Sequence, residues 1–144
     1  MTSNDRPVTI FIAEDNPILL QGLDRALSAH GYAVETAPNG AAIMERLSTA
    51  TTPPDLLLLD VMMPGMTGLE VVEAVHRDPR LTDVPVMLIT AAIGEQAPPL
   101  SDGSQVEVLV KPFRLYDLLT RIESYVGRRG EADFSAMAPG SLAS

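Results

Sequence analysis

The sequence predicts a parallel α/β sheet with helices packed on both faces. Short apolar runs alternate along the chain with segments of helical period, the pattern of repeated strand–helix units. The run Leu56 to Leu59 is apolar at every position, as a strand must be when neither of its faces meets water. Asn, Gly and Pro punctuate the segments where helices should start and stop.

The elements follow in order. "VTIFIA", Val8 to Ala13, is rich in β-branched and aromatic residues and reads as a buried first strand. Asn16-Pro17 opens a helix to about His30, with Leu19, Leu20, Leu23, Ala26 and Leu27 on its apolar stripe and Gly31 closing it. "YAVETA" is a second, partly exposed strand. Asn39 caps a helix to about Ser48, with Ala42, Ile43 and Leu47 inward. After the loop "TATTPP", "DLLLLD" is the third strand and ends on Asp60. A helix from about Gly68 to Arg77 carries the stripe Leu69, Val72 and Val75. "VPVMLIT" and "VEVLV" are the fourth and fifth strands, and Leu115, Leu118, Leu119, Ile122 and Val126 mark an amphipathic final helix. Between those last two strands, "AAIGEQAPPLSDGSQ" holds adjacent prolines that remove backbone donors and clash with a preceding turn, so a short or irregular fourth helix is expected. The expected organisation is an N-terminal tail over 1–7, one domain over 8–127 and a flexible tail over 128–144.

Composition narrows the function. With 144 residues and 46% hydrophobic content the chain suits one core and is no disordered segment. It has no cysteine, which excludes disulfides and thiolate metal sites. No signal peptide is visible and nothing approaches the roughly 18 apolar residues of a membrane span, so a cytoplasmic protein is expected. A formal charge of -9 repels phosphate backbones, which argues against nucleic acid as a direct partner. It is no obstacle to a metal cation or a basic protein face.

Sheets of this kind bind ligands outside the carboxyl ends of their strands. Glu14 and Asp15 end the first strand, Asp60 the third, Thr90 the fourth and Lys111 the fifth. Each has an ordinary explanation by itself: loop acids, a turn residue, a good β-former, a surface lysine. Their joint occurrence at one rim favours a site. Three close carboxylates repel, and one takes up a proton unless a cation is present. Mg²⁺ (or Mn²⁺) suits such an all-oxygen set, and would leave Asp60 ionised to act as a nucleophile on phosphorus. Lys111 would balance the charge of the transferring group, and the Thr90 hydroxyl would donate to it once attached.

"EDN" after the first strand, "LLLLDVMMPGMTGLE", "LITAA" and "VLVKPF" together resemble the receiver domain of two-component response regulators, over about Val8 to Val126. The resemblance implies a flavodoxin-like doubly wound five-stranded sheet of order 2-1-3-4-5. It implies that Asp60 accepts a phosphoryl group from a histidine kinase or a histidine phosphotransfer protein. Glu14 and Asp15 then hold the metal, with Asp15 the more direct ligand, and the backbone carbonyl of Met62 is a further ligand. Thr90 takes the place of the switch hydroxyl, Lys111 that of the phosphate-pairing lysine, and Lys111-Pro112 that of a cis peptide. Output passes to a downstream protein, from a monomer or a phosphorylation-linked homodimer, with no enzymatic activity beyond the domain's own phosphorylation and dephosphorylation. Because the chain ends soon after its last helix, a stand-alone receiver is expected, although a piece of a longer regulator would look alike.

The sequence departs from that family at the output face. Val108 stands where many members carry Tyr or Phe, and the prolines before the fifth strand disturb the same region, so activation is expected to act on Ala92 to Gln105. In that family the residues two after the aspartate and two after the threonine lie beside the path of a hydrolytic water; here they are Met62 and Ala92, whose side chains cannot orient it, so phosphate loss should be slow. His30 and His76 read as solvated helix residues, and Met62, Met63 and Met66 as gap-fillers. Three other functions compete with this one. A degenerate receiver would bind partners without phosphorylation. A phosphatase of the haloacid-dehalogenase type needs a second acid where Met62 stands. A flavodoxin-like cofactor binder needs Ser, Thr and Gly where "EDNPILL" offers acids.

Overall fold

The computed structural model describes residues 7–91 and 107–129. Strands β1 (Thr9–Ala13), β2 (Ala33–Ala37), β3 (Leu56–Asp60), β4 (Val86–Thr90) and β5 (Glu107–Val110) form one parallel sheet in the order β2-β1-β3-β4-β5. Helices α1 (Pro17–Ala29), α2 (Gly40–Thr49), α3 (Gly68–Arg77) and α4 (Leu115–Arg129) complete the described elements. The doubly wound, flavodoxin-like order expected from the sequence is the one observed. The stretch expected to hold a short or irregular helix, 92–105, lies outside the described residues, as does the tail beyond 129. The last helix itself runs past 127, to Arg129.

Side-chain alternation sorts the core into two halves. Phe11, Ala13, Leu57, Leu59, Val86 and Leu88 face one way and pack with Ile43 and Leu47 of α2 and Val71, Val72 and Val75 of α3. Ile10, Ile12, Leu56, Leu58, Met87, Ile89 and Leu109 face the other and pack with α1 and α4. Because both faces are covered, a strand such as β3 carries leucine at every core position, and all five of its residues are buried.

The helix starts are built locally. The Asn16 side chain accepts from the N–H groups of Ile18 and Leu19 at 2.9 and 3.2 Å. Asn39 accepts from Ala42 N–H at 2.8 Å. Thr67 and Glu70 form a reciprocal capping box at 3.2 and 2.9 Å, which the sequence reading overlooked. At the far end of α2, the Arg80 guanidinium donates to the carbonyls of Leu47 and Ala50 at 3.0 and 2.8 Å, satisfying groups that a helix C-terminus leaves open. Gly31, just past α1, has a φ of +92°, which only glycine adopts without strain.

Some expected side-chain positions are corrected. In α3, Val71 is fully buried and Leu69 only partly so, because a helix lying on a sheet buries a broader stripe than one residue per turn. Leu115 is 42% exposed, since the first turn of α4 precedes its contact with the core, which begins at Leu118. His30 is exposed as expected, but His76 is half-buried.

Two substitutions test this architecture. Leu58→Ala, at the centre of the sheet, should lose about 2–5 kcal/mol in urea unfolding through cavity formation. Gly22→Ala, on α1 where an added methyl meets nothing within 4 Å beyond its own helix backbone, should gain about 0.5–1 kcal/mol.

Candidate functional site

The alternation that sorts the core also aims the site. Ile12 and Leu58 face α1 and α4. Two residues on, Glu14 just past β1 and Asp60 at the last position of β3 continue the same face, and Lys111 does so after Leu109 in β5. β1 and β3 are the neighbours between which the strand order reverses, so the crevice opens between them.

The rim is held by hydrogen bonds that extend the sheet ladder. Glu14 N–H donates to Ala37 carbonyl at 3.2 Å, Val61 N–H to Ile89 carbonyl at 2.9 Å, and Lys111 N–H to Thr90 carbonyl at 2.7 Å. Each site residue therefore sits on, or next to, backbone that its neighbour strand fixes. Gly65 turns the loop after β3 with a φ of +81°, and the Lys111-Pro112 peptide is cis, as the resemblance implied.

One ligand oxygen from each of Glu14, Asp15 and Asp60 lies within 4.8 Å of the others. Glu14 is fully buried and Asp60 nearly so, whereas Asp15 is exposed. Lys111 Nζ stands 3.2 Å from Glu14 Oε1 and 3.6 Å from Asp60 Oδ2. β5 lies two places from β3 in the sheet, so a long side chain is needed to make that reach. Lys111 is also the chain's only lysine. Met62 N–H donates to Asp60 Oδ1 at 3.1 Å, and Asn16 N–H to Glu14 Oε2 at 3.0 Å, so both carboxylates are oriented by backbone. Thr90 closes β4 and is buried at the same rim. The structure therefore clusters Glu14, Asp15, Asp60 and Lys111, and sets Thr90 at the carboxyl end of the strand between β3 and β5.

Glu14 carries the strain of this crowding. Burial pushes its carboxyl above the usual value of 4.5, the Asn16 N–H opposes, Asp60 raises it further, and Lys111 pulls it back. Its Oε1 accepts no aligned hydrogen bond among the described residues, although Lys111 Nζ is near, because the ammonium approaches off the bonding direction. A buried oxygen without an aligned donor, beside two further carboxylates, is what an oxygen-coordinated divalent cation would satisfy; the donor set fits Mg²⁺.

The methionines divide. Met63 is buried as a gap-filler, but Met62 is 68% exposed and fills nothing. Missed in the sequence were two glycines that allow close approach. A methyl on Gly68 would lie 2.5 Å from the Asp60 carbonyl oxygen, and one on Gly40 would lie 2.5 Å from that of Met66. Both occupy the first helical position after a cap, in "NG" and "TG", where glycine brings no local benefit; that was the available signal.

The sign of the Glu14 shift sets a pH dependence. Its pKa is higher folded than unfolded, so between the two values the folded state binds more protons and stability falls as pH rises. In chelator, wild-type protein should gain on Glu14→Gln as pH falls towards 4.5 and level off below it, read as the difference between their urea midpoints. A difference that does not vary with pH would contradict this.

Comparison with known proteins agrees with the geometry. A family model described as the response regulator receiver domain matches residues 10–123. The response regulator MprA of Mycobacterium ulcerans (strain Agy99) is 38% identical over 125 residues, covering 84% of this chain and 51% of that protein. MprA of Mycobacterium sp. (strain KMS) is 36% identical over 126 residues, covering 85% and 52%. The chain thus spans about half the length of the curated relatives it matches. Among solved structures, the chemotaxis response regulator CheY4 of Vibrio cholerae superposes with a TM-score of 0.72 at 27% identity, over 83% of this chain and 99% of that one. The response regulator protein TrrA from Thermotoga maritima, in complex with Mg(2+)-BeF, superposes with a TM-score of 0.71 at 27% identity, over 82% and 98%. With strand order, acidic rim and family match in agreement, the chain belongs to the response regulator receiver family.

Proposed function

We propose that this domain accepts a phosphoryl group on Asp60 in a Mg²⁺-dependent reaction and signals through the protein surfaces it then presents. The observation that carries the reading is the packing of Glu14, Asp15 and Asp60 around a buried oxygen with no aligned donor, with Lys111 alongside. Glu14, Asp15, Asp60 and the Met62 carbonyl would hold Mg²⁺ (or Mn²⁺). When bound, the ion offsets the negative charge of the phosphoryl oxygens. The Thermotoga relative in complex with Mg(2+)-BeF supports this assignment.

The chemistry of the chain's own residues follows. A carboxylate oxygen of Asp60 attacks the phosphorus of a phosphohistidine on a kinase or phosphotransfer protein. The O–P bond forms as the P–N bond breaks, and the electron pair leaves on the imidazole nitrogen, which is left neutral or takes a proton from solvent. Met62 N–H holds one oxygen of the attacking carboxylate, so little reorientation is needed. Lys111 exchanges its contact with Asp60 for one with the phosphoryl oxygens, and the Thr90 hydroxyl donates to the attached group. The domain works as a binding module in the cytoplasm, as monomer or phosphorylation-linked homodimer, and catalyses nothing beyond gain and loss of its own phosphate. Its charge of -9 opposes direct nucleic-acid contact.

A receiver that signals without phosphorylation is the second reading. Val108, part of the core-packed surface where an aromatic ring is common, speaks for it.

Incubation with acetyl phosphate and Mg²⁺ should add one phosphoryl group by intact mass, and chelator or Asp60→Asn should abolish it. Modification undiminished in Asp60→Asn would refute the assignment, and no modification of wild type would favour the second reading. Because the exposed Met62 side chain cannot orient water, Met62→Asn should shorten the lifetime of the phosphorylated form, followed by the decay of that mass.

A further inference from the structure

Helix α2 starts hard against the loop that follows Asp60. A methyl group on Gly40 would lie 2.5 Å from Met66 carbonyl oxygen and 2.9 Å from Met66 Cβ, distances that atoms do not tolerate. The obstacle is backbone, so a rotamer change cannot relieve it. Nor is α2 free to retreat. Ile43 and Leu47 are fully buried, Asn39 caps its start, and Arg80 ties down its end. The loop over 61–67 is the softer partner. Its ends are pinned by Val61 N–H to Ile89 carbonyl at 2.9 Å and by Gly68 N–H to Val61 carbonyl at 3.1 Å. Between those pins lies Met62, whose N–H orients Asp60.

We infer that Gly40 is a positioning residue for the phosphoacceptor loop. The missing side chain lets the α2 N-terminus seat Met66 from outside, while Gly68 lets α3 seat the Asp60–Val61 backbone from within. The loop is gripped between two helix starts, and the grip sets where the Met62 peptide stands relative to Asp60. Any displacement of the α2 N-terminus is thereby transmitted to the metal site, although no residue of α2 belongs to it. This rests on the proposed reading of the site as a Mg²⁺-dependent phosphoacceptor.

The test is a Mg²⁺ titration of the ¹⁵N-labelled 144-residue chain, following the Met62 and Glu14 amides, beside acetyl-phosphate kinetics at varied Mg²⁺. Gly40→Ala should weaken Mg²⁺ binding about tenfold, the scale of losing an outer-shell support, with the kinetic deficit mainly in the half-saturating Mg²⁺ concentration. Leu47→Ala, which thins the α2 core without touching the loop, should lower the melting temperature and leave the Mg²⁺ constant unchanged. Unaltered Mg²⁺ binding in Gly40→Ala, or equal weakening in Leu47→Ala with both variants folded, would overturn the inference. If Gly40→Ala does not fold, wild type decides: the Gly40 and Ala41 amides should shift with the same midpoint as Met62, and their failure to shift overturns it. Wild type that bound no Mg²⁺ at all would instead overturn the proposed function and, with it, this inference.

Discussion

Glu14 and Asp60 share the ammonium of Lys111 at 3.2 and 3.6 Å, and everything else in the domain serves to keep that arrangement in place. Burying acids beside each other opposes folding, because each loses water and each repels the other. Lys111 offsets part of this, and what it leaves shows as a Glu14 carboxyl pushed above its usual value, by burial first and by Asp60. The unmet remainder is an attraction for positive charge at one point of the surface. A lysine suits this role better than an arginine, since its compact ammonium can stand between two carboxylates without a forked geometry to satisfy.

Such a site needs a scaffold that does not relax. The interior is apolar strand against apolar helix on both faces, and the ladder continues beyond the strands through Glu14, Val61 and Lys111. Relaxing the acids apart would break main-chain hydrogen bonds in buried surroundings, at a net loss of about 1–3 kcal/mol for each polar group left unsatisfied. The loop after β3 is the more adjustable part, and two helix starts crowd it through Gly40 and Gly68. Rigidity therefore comes from the sheet on one side and from steric closure on the other.

Much of the fold could be read in advance because its signals are local. Asn16 and Asn39 announce helix starts with their own side chains, Gly31 announces an end, and the unbroken leucines of β3 announce a strand covered twice. The strand-end residues were legible as a set because a parallel sheet brings its carboxyl ends together whatever the details of packing. Less legible was how far each side chain is exposed. Leu69 and Val71 differ by two positions on one helix, and only the angle at which α3 lies on the sheet decides which is buried.

What the sequence determined by itself was the order of elements, the parallel sheet and the identity of the residues at its rim, since these follow from periodicity, caps and the resemblance of whole motifs. Tertiary structure alone decided which acid is buried and which exposed, placing Glu14 inside and Asp15 out although they are adjacent. It also decided that Lys111 reaches from the end of β5 to Asp60, and that Gly40 and Gly68 are needed for the close approach of Met66 and Asp60 backbone to the starts of α2 and α3. The physical reason is the same in each case. Burial, Coulomb attraction and steric contact depend on distances through space, which no local window of the chain contains.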